Sequence, residues 1–251
     1  MKNNGQALIR DLTAGSIPRR LLAFAGPLFL SGLLQTTYNM ADMAVVGHFG
    51  GSAGLSAVTN GGEILSFLTF VAIGFSNAGQ VILSQLVGAN RKESVGRLVG
   101  TLFTSMLGAA LALTAACVAL SDAMLGLINT PPEAWDGTAD YVVICCLGLV
   151  FIYGYNLAGA ILRGLGDSRH PFVFVAIASL VNVALDLLFV AVFGWGVAGA
   201  ALATVIGQAV SFACALVFLY RRRAWLGFDF KPSSFRLDRE LFPALVRLGV
   251  P

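Results

Sequence analysis

The sequence predicts an all-α membrane protein, a bundle of six transmembrane helices. Three observations carry this prediction: 57% of the 251 residues are hydrophobic, only 12% are charged, and the mean hydropathy is +0.81. A soluble domain needs roughly a quarter of its residues charged to cover its surface. The net charge of +3 does not indicate nucleic acid as a partner, because the basic residues stand in short clusters between long apolar runs.

Six apolar segments are long enough to cross a bilayer, since a helix needs about 20 apolar residues to span ~30 Å of hydrocarbon. These segments are 18–49, 56–87, 98–120, 139–162, 171–193 and 197–220. The first two are longer than required, and Pro27 and Gly32 predict a kink in the first. The first segment is also too long for a signal peptide and lacks a cleavage site, so we expect it to be retained.

The basic residues predict the orientation. All 16 Lys and Arg precede span one, separate spans two and three or spans four and five, or follow span six: Lys2, Arg10, Arg19, Arg20, Arg91, Lys92, Arg97, Arg163, Arg169, Arg221, Arg222, Arg223, Lys231, Arg236, Arg239 and Arg247. If the spans alternate, these residues share one face, which predicts a plasma-membrane protein with a cytoplasmic amino terminus. The loops on the other face contain acidic but no basic residues: Asp122, Glu133, Asp136 and Asp140.

The chain divides into three predicted parts. Residues 1–220 form the six-helix transmembrane part, and 221–244 form a polar cytoplasmic linker. Residues 245–251 (LVRLGVP) have the same Leu-x-x-x-x-x-Pro spacing as residues 21–27 (LLAFAGP). Parallel repeats are common in transporters, so we expect 245–251 to be the truncated start of a seventh helix.

Three carboxyl side chains fall within the spans: Asp42, Glu63 and Asp186. Ionisable groups in hydrocarbon are costly and face the interior of the bundle, so each one is a candidate site. With a rise of 1.5 Å per residue, four polar side chains reach a common depth in the outer half of the bundle. This cluster is the predicted cation site: Asp42, Asn182, Asp186 and Thr204. Further polar side chains lie on the same helices or on span four: Gln35, Tyr38, Tyr141, Asn156 and Gln208.

Carboxylate, amide and hydroxyl oxygens are hard ligands that suit Na⁺, and carboxylates also bind H⁺. Burial disfavours a charged carboxyl group, and a bound cation removes that penalty. We therefore expect H⁺ or Na⁺ between Asp42 and Asp186, and no cofactor. The alternative is that these polar groups only join helices through hydrogen bonds. Glu63, near the outer end of span two, fits an interfacial residue as well as a functional one.

No enzyme is predicted. His48 and His170 lie at span ends without metal-ligand spacing, and no nucleophile–base order or nucleotide-binding glycine loop is present. All four cysteines lie in apolar runs, where we expect unpaired hydrophobic side chains: Cys117, Cys145, Cys146 and Cys214.

Several segments resemble the multidrug and toxic compound extrusion (MATE) transporters. They are PLFLSGLLQTTYNMADMAVVGHFG in span one, SQLVGANRKESVGR after span two, LRGLGDSRHP after span four, and NVALDLLF followed by GVAGAALAT. The chain looks closest to the prokaryotic DinF-like branch, which pairs an acid on span one with Asn and Asp on span five. The resemblance implies a cation site in the amino-terminal lobe that consists of Asp42, Asn182, Asp186 and Thr204. It implies Tyr141 and Asn156 as two supporting residues.

MATE transporters have twelve spans in two lobes, with the substrate cavity between them. The resemblance implies that this chain is the amino-terminal lobe and that a carboxy-terminal lobe, in the same full-length chain or as a separate half, is its partner. The expected function is export of amphipathic or cationic drugs in exchange for H⁺ or Na⁺. One alternative is a lipid-linked precursor flippase, although no Lys or Arg is predicted inside a span to meet an anionic headgroup. The other is a non-transporting half-bundle that needs a partner lobe.

Overall fold

The computed structural model describes residues 16–226, 228–231 and 234–249. The predictions that rest on Lys2, Arg10, Val250 and Pro251 lie outside these residues. Within them the secondary structure is helical, with no strand. The eight helices of the described chain are α1 (Ile17–Gly88), α2 (Lys92–Leu127), α3 (Trp135–Leu147), α4 (Leu149–Gly164), α5 (Arg169–Asp186), α6 (Gly196–Arg221), α7 (Arg223–Leu226) and α8 (Leu241–Gly249).

Helix α1 contains two spans that fold back on each other at one residue. Gly51 has φ 65° and ψ −161° and is the one residue of α1 with non-helical backbone angles, so the chain stays helical through Pro27. A Cβ atom placed on Gly54 would lie 3.1 Å from Val46 Cγ1. Those two residues would be about 12 Å apart along a straight helix, so the chain reverses between them. Glycine suits the turn because it adopts positive φ without steric cost.

Span four is bent, where the sequence predicted one continuous helix over 139–162. Helices α3 and α4 meet at Gly148 with an angle of 53°. A Cβ atom on Gly148 would lie 2.5 Å from Val205 Cγ2 of α6. The absence of a side chain at Gly148 therefore allows α6 to pack against the bend.

Helix α5 ends at Asp186 and continues as a π-helical segment, Leu187–Val192, before two glycines with positive φ, Gly194 and Gly196, lead into α6. The described residues therefore contain six apolar spans. They are the two parts of α1, helix α2, the bent pair α3–α4, α5 with its π-helical extension, and α6. The predicted fold class is confirmed.

Different loops lie at the two ends of the bundle. At one end, Arg163 of α4 donates a hydrogen bond to Gln80 of α1, and the ring of His170 lies 4.2 Å from that of Phe218 in α6. At the other end, Cβ atoms on Gly54 or Gly137 would lie within 4 Å of Val197. The spans therefore alternate in direction, as the basic-residue pattern requires; which end faces the cytoplasm remains a prediction.

The linker after α6 packs on the start of α2. Phe228 stacks on Phe103, and the backbone N–H of Asp238 donates to Thr101 Oγ1 at 3.0 Å. A Cβ atom on Gly100 would overlap the Ser234 carbonyl, so glycine is what allows the linker to approach. Beyond the linker, α8 packs against α1, with Gly249 beside Gly74 and Phe75.

The cysteine prediction was wrong for one pair. Cys117 of α2 and Cys146 of α3 form a disulfide, whereas Cys145 and Cys214 are free. The pairing joins residues from different spans, and their spacing in the sequence gives no sign of it.

Candidate cation-binding site

Three helices bring the four predicted cation-site residues together. Asp42 comes from the first half of α1, Asn182 and Asp186 from α5, and Thr204 from α6. Asp42 is 4% exposed, Asn182 2% and Asp186 0%, so this polar cluster lies inside an apolar bundle.

Close packing of α5 on α6 sets the spacing of the cluster. A Cβ atom on Gly207 would lie 3.1 Å from the Ala178 carbonyl oxygen and 3.3 Å from Asn182 Cβ. Glycine at this position lets the two backbones approach each other, as small residues do at helix contacts in membranes. Asn182 thereby comes within hydrogen-bonding distance of Thr204.

Hydrogen bonds connect three members of the cluster. Thr204 Oγ1 lies 3.3 Å from Asp42 Oδ2 and can donate to it. With its amide nitrogen toward α1, Asn182 donates to Asp42 Oδ1 at 2.9 Å and accepts from the Thr204 backbone N–H at 3.3 Å. Both oxygens of Asp42 therefore have a neutral donor. No positively charged side chain of the described chain forms an ion pair with Asp42.

Asp186 is the exception within the cluster. Its carboxyl group is fully buried and interacts with that of Asp42, yet neither of its oxygens accepts a hydrogen bond from any described donor. Two adjacent carboxyl groups need a shared proton or a cation, because two buried negative charges repel each other. This arrangement can bind H⁺ or a small cation.

A second row of polar side chains continues from the cluster. Tyr38 is 7% exposed, and its hydroxyl oxygen lies 3.4 Å from both Gln35 Nε2 and Gln208 Nε2. Tyr141, also buried, interacts with Thr204. Of the predicted supporting residues, these four adjoin the cluster.

Asn156 is placed differently. Its amide donates to the Ile152 carbonyl in its own helix at 2.8 Å and does not hydrogen-bond to the cluster. It does line the same cavity as Asp42, and so does Glu63. This cavity has a volume of about 760 Å³ and also borders Thr204 and Tyr141. Two of the four cluster residues, Asp42 and Thr204, therefore form part of the wall of a drug-sized cavity.

The ligand set limits the cations that the cluster suits. No group of three or more His, Cys, Asp or Glu side chains that could hold a metal ion occurs among the described residues. Two carboxyl groups with an amide and a hydroxyl are hard oxygen donors, unlike the nitrogen and sulfur ligands of zinc sites. Na⁺ at Asp42 and Asp186 stays a prediction.

The sequence prediction misplaced one basic residue, Arg163. Span four was predicted to end at residue 162, but α4 continues to Gly164 and includes Arg163 in its last turn. Arg163, which was predicted to lie in the loop between spans four and five, is therefore helical. The signal was available, because LRG continues the apolar run without a helix-breaking residue before Gly164.

A sequence profile decides the family. The profile described as MatE matches residues 27–188, which run from within span one to within span five and include both carboxylates of the cluster. The chain belongs to the MatE family.

Similar relatives carry names that refer to drug resistance. The chain is 31% identical over 246 residues to "Probable multidrug resistance protein YpnP" of Bacillus subtilis (strain 168), covering 96% of this chain and 53% of the relative.

A second relative from the same organism, "Probable multidrug resistance protein YoeA", is 32% identical over 243 residues, which cover 94% of this chain and 52% of that protein. The chain thus spans about half the length of the curated MatE relatives it matches. Both relatives are named as multidrug resistance proteins.

Solved MatE structures share the fold. "Crystal structure of MATE in the bent conformation" aligns with a TM-score of 0.87 at 24% identity, over 100% of this chain and 55% of that one. An outward-facing multidrug resistance MATE family transporter of the MOP superfamily gives the same TM-score and identity, over 54% of its chain. The described bundle therefore has the fold of one half of these transporters.

Proposed function

We propose that this chain is the cation-binding amino-terminal lobe of an exporter that exchanges H⁺ or Na⁺ for amphipathic or cationic compounds. The observation that carries the proposal is the Asp42–Asp186 pair, in which a buried carboxyl group without a hydrogen-bond donor lies beside the wall of the large cavity. The names of two MatE relatives refer to multidrug resistance, which supports drugs as the exported compounds. The carboxy-terminal lobe is the proposed partner, and the proposed location is the plasma membrane with a cytoplasmic amino terminus.

The mechanism follows from the cost of emptying the site. With a cation bound, Asp42 and Asp186 are compensated and hold α1 against α5. Without it, two buried carboxyl groups repel each other, and α1 shifts relative to α5 to let water or a new cation in. Asp42 is on the cavity wall, so that shift changes the cavity where the substrate binds.

The driving force is sufficient for concentrative export. One positive charge that moves inward across 100 mV releases about 2.3 kcal/mol. Since a tenfold ratio corresponds to about 1.4 kcal/mol, this energy supports a gradient of roughly 50-fold for an uncharged substrate. Exchange of one cation for one monocationic substrate moves no net charge, so it draws only on the concentration gradient of the coupling ion.

Site-directed variants of the full-length protein in liposomes test the proposal. Asp42→Asn and Asp186→Asn keep the size of each side chain and remove its ability to ionise. We expect each to abolish efflux of a cationic dye that is driven by an imposed H⁺ or Na⁺ gradient, a loss of at least 100-fold. The matched control is Asp136→Asn, an exposed acidic residue in the first turn of α3, which should export normally.

Undiminished gradient-driven efflux by both site variants would contradict the coupling role of the pair. The imposed gradient also separates the two ions, because the wild type should respond to one and not to the other. An alternative role, a half-bundle that does not transport alone, predicts efflux from liposomes only after a second lobe is added.

A further inference from the structure

An apolar groove lies between α2, α4, α6 and the linker, and is called the α2–α4–α6 groove below. It has a volume of about 690 Å³, within the range of pockets that bind small molecules. It shares no lining residue with the cavity at Asp42, and no residue of α1 or α8 lines it. The proposed cation and substrate site therefore does not account for this groove.

The α2–α4–α6 groove has a buried floor and an exposed rim. Tyr153 and Leu157 of α4 are each 1% exposed, whereas Leu107 of α2 and Val217 of α6 are 48% and 53% exposed. A concave site of this kind encloses an apolar chain on several sides. Enclosure distinguishes the groove from the ordinary surface that a span presents to lipid.

The few polar groups of the groove lie at one end or are already satisfied. Three lining side chains carry a nitrogen or oxygen atom: Tyr153, Tyr220 and Arg221. The Tyr153 hydroxyl donates to the Leu68 carbonyl of α1 at 2.8 Å. Tyr220 and Arg221 are the last two residues of α6. The groove is therefore apolar along its length and basic at the end where α6 ends.

The length of the groove matches one leaflet of a bilayer. On α6 its lining runs from Phe212 to Arg221, about 14 Å along the helix axis, and one leaflet contributes about 15 Å of hydrocarbon. Gly154 lets α6 approach α4 within this length, because a Cβ atom there would lie 2.5 Å from Phe212 Cζ. At the basic end, the rings of Phe230 and Phe235 lie 6.2 and 6.0 Å from that of Phe103 and form part of the wall.

The charge at the basic end complements an anionic headgroup. Arg221 is exposed, and the Arg223 guanidinium lies over the Tyr220 ring, 4.3 Å from its centroid. Neither arginine forms an ion pair with an acidic residue of the described chain. Basic residues directly after a span attract anionic lipids, and a guanidinium group can donate two hydrogen bonds to a phosphate.

We propose that the α2–α4–α6 groove binds one acyl chain of an anionic phospholipid, whose phosphate contacts Arg221. The lipid belongs to the leaflet on the side of the basic loops. It is a bound partner of the bundle and not an exported substrate. The proposal stands apart from cation exchange, because none of the four cation-site residues lines the groove.

Native mass spectrometry of the purified, delipidated full-length protein tests the proposal. The probes are phosphatidylglycerol, phosphatidylcholine with the same acyl chains, and glycerophosphoglycerol, which is the anionic headgroup without chains. Arg221→Gln removes the charge, and Val217→Trp fills the groove. The matched controls are Arg169→Gln and Val173→Trp, two exposed residues of α5 that do not line the groove.

We expect the wild type to bind phosphatidylglycerol about 10-fold more tightly than phosphatidylcholine, and the headgroup alone not to compete at the same concentration. Arg221→Gln should weaken phosphatidylglycerol about 5-fold, since one basic side chain contributes about 1 kcal/mol near an anionic headgroup. Val217→Trp should weaken both lipids about 10-fold, because the indole takes the space of about two methylene groups of the chain. Neither control should change either affinity by more than about twofold.

Four results would overturn the proposal. Equal affinity of the wild type for the two lipids, or an unchanged phosphatidylglycerol affinity in Arg221→Gln, would contradict the headgroup contact. Equal effects of Val217→Trp and Val173→Trp would place the lipid outside the groove, and competition by the headgroup alone would indicate an anion site without a bound chain. If Val217→Trp does not fold, Leu107→Trp fills the groove from α2 and is compared with Val173→Trp in the same way.

Discussion

Asp186 and Asp238 are two carboxyl groups in opposite surroundings. Asp238 lies in the linker, where it pairs with Arg97 at 3.2 Å and accepts hydrogen bonds from the backbone N–H groups of Glu240 at 2.9 Å and Leu241 at 3.2 Å. Asp186 is fully buried and accepts none from a described donor. The linker acid is satisfied by the protein itself, whereas the buried acid depends on a ligand from outside.

We interpret this difference as one between a structural role for Asp238 and the proposed functional role of Asp186. A carboxylate with several donors fixes local geometry, and here it holds the linker against α2. A carboxyl group that the fold leaves unsatisfied costs stability, and such costs are kept where they serve function. The comparison predicts that replacing the two residues has opposite effects on stability.

The largest expected effect is that of Asp186→Asn on thermal stability at alkaline pH. The wild type must hold a proton or a cation at Asp186, so in the absence of Na⁺ its stability should fall by up to about 1.36 kcal/mol per pH unit as protons become scarce. The amide side chain of the Asp186→Asn variant cannot ionise, so the variant does not lose stability in this way. We expect Asp186→Asn to have the higher Tm at alkaline pH and nearly the same Tm in mild acid.

Melting curves of the purified full-length protein, followed by tryptophan fluorescence across the pH range, measure this difference. If the site binds Na⁺, adding Na⁺ to the wild type at alkaline pH should restore part of the lost Tm. A lower Tm for Asp186→Asn at every pH would mean that the carboxyl group is stabilising, and the contrast with Asp238 would not hold.

A packing change near the buried acids sharpens the comparison without altering any charge. A Cβ atom on Gly61 would lie 2.5 Å from Tyr141 Cδ1, so Gly61→Ala must displace the ring that interacts with Thr204. We expect a loss of ~1–3 kcal/mol in unfolding free energy, as for other overpacked interiors. The neighbouring control is Gly62→Ala, where nothing lies within 4 Å of the added methyl group. Equal Tm values for the two variants would contradict the close contact.

The smallest expected effect is that of Asp238→Asn in the linker. The backbone N–H of Glu240, assisted by Leu241 and Arg97, lowers the pKa of Asp238 below its ordinary value. A carboxyl group with a lowered pKa stabilises the fold above its unfolded pKa, and this contribution is lost as the pH falls through the folded value. Asp238→Asn should therefore lower the Tm slightly at neutral pH, and the difference should vanish in acid.

The pH dependence of this small effect is opposite to that expected at Asp186. Arg239→Gln, an exposed change in the same segment, serves as the control because Arg239 forms no ion pair among the described residues. A Tm of Asp238→Asn that exceeds the wild type at neutral pH would show that the Arg97 pair does not hold the linker.

Much of the fold was predictable because hydrocarbon imposes simple rules. Length and apolar composition gave the six spans, and the basic residues gave their alternation. The helical rise gave a shared depth for Asn182, Asp186 and Thr204, and the position of Asp42 in span one allowed it to join them; the structure brings these four together. Their coordination of a cation is a prediction that remains to be tested.

The features that sequence reasoning missed depend on contacts between spans. The bend at Gly148 reflects the approach of Val205 from α6, and a lone glycine in an apolar run has no distinctive signature. The π-helical segment after Asp186 contains neither glycine nor proline, the usual signs of irregular helix. The Cys117–Cys146 pair likewise joins α2 to α3 across a sequence separation of 29.

The reversal at Gly51 has a mechanical consequence. Because a single residue connects the two halves of α1, no slack chain exists there to absorb a displacement of one half relative to the other. Asp42 precedes this turn and Glu63 follows it, and both border the same cavity. The two spans therefore share a hinge at Gly51: the angle between them can change there, but neither span can slide along its axis past the other.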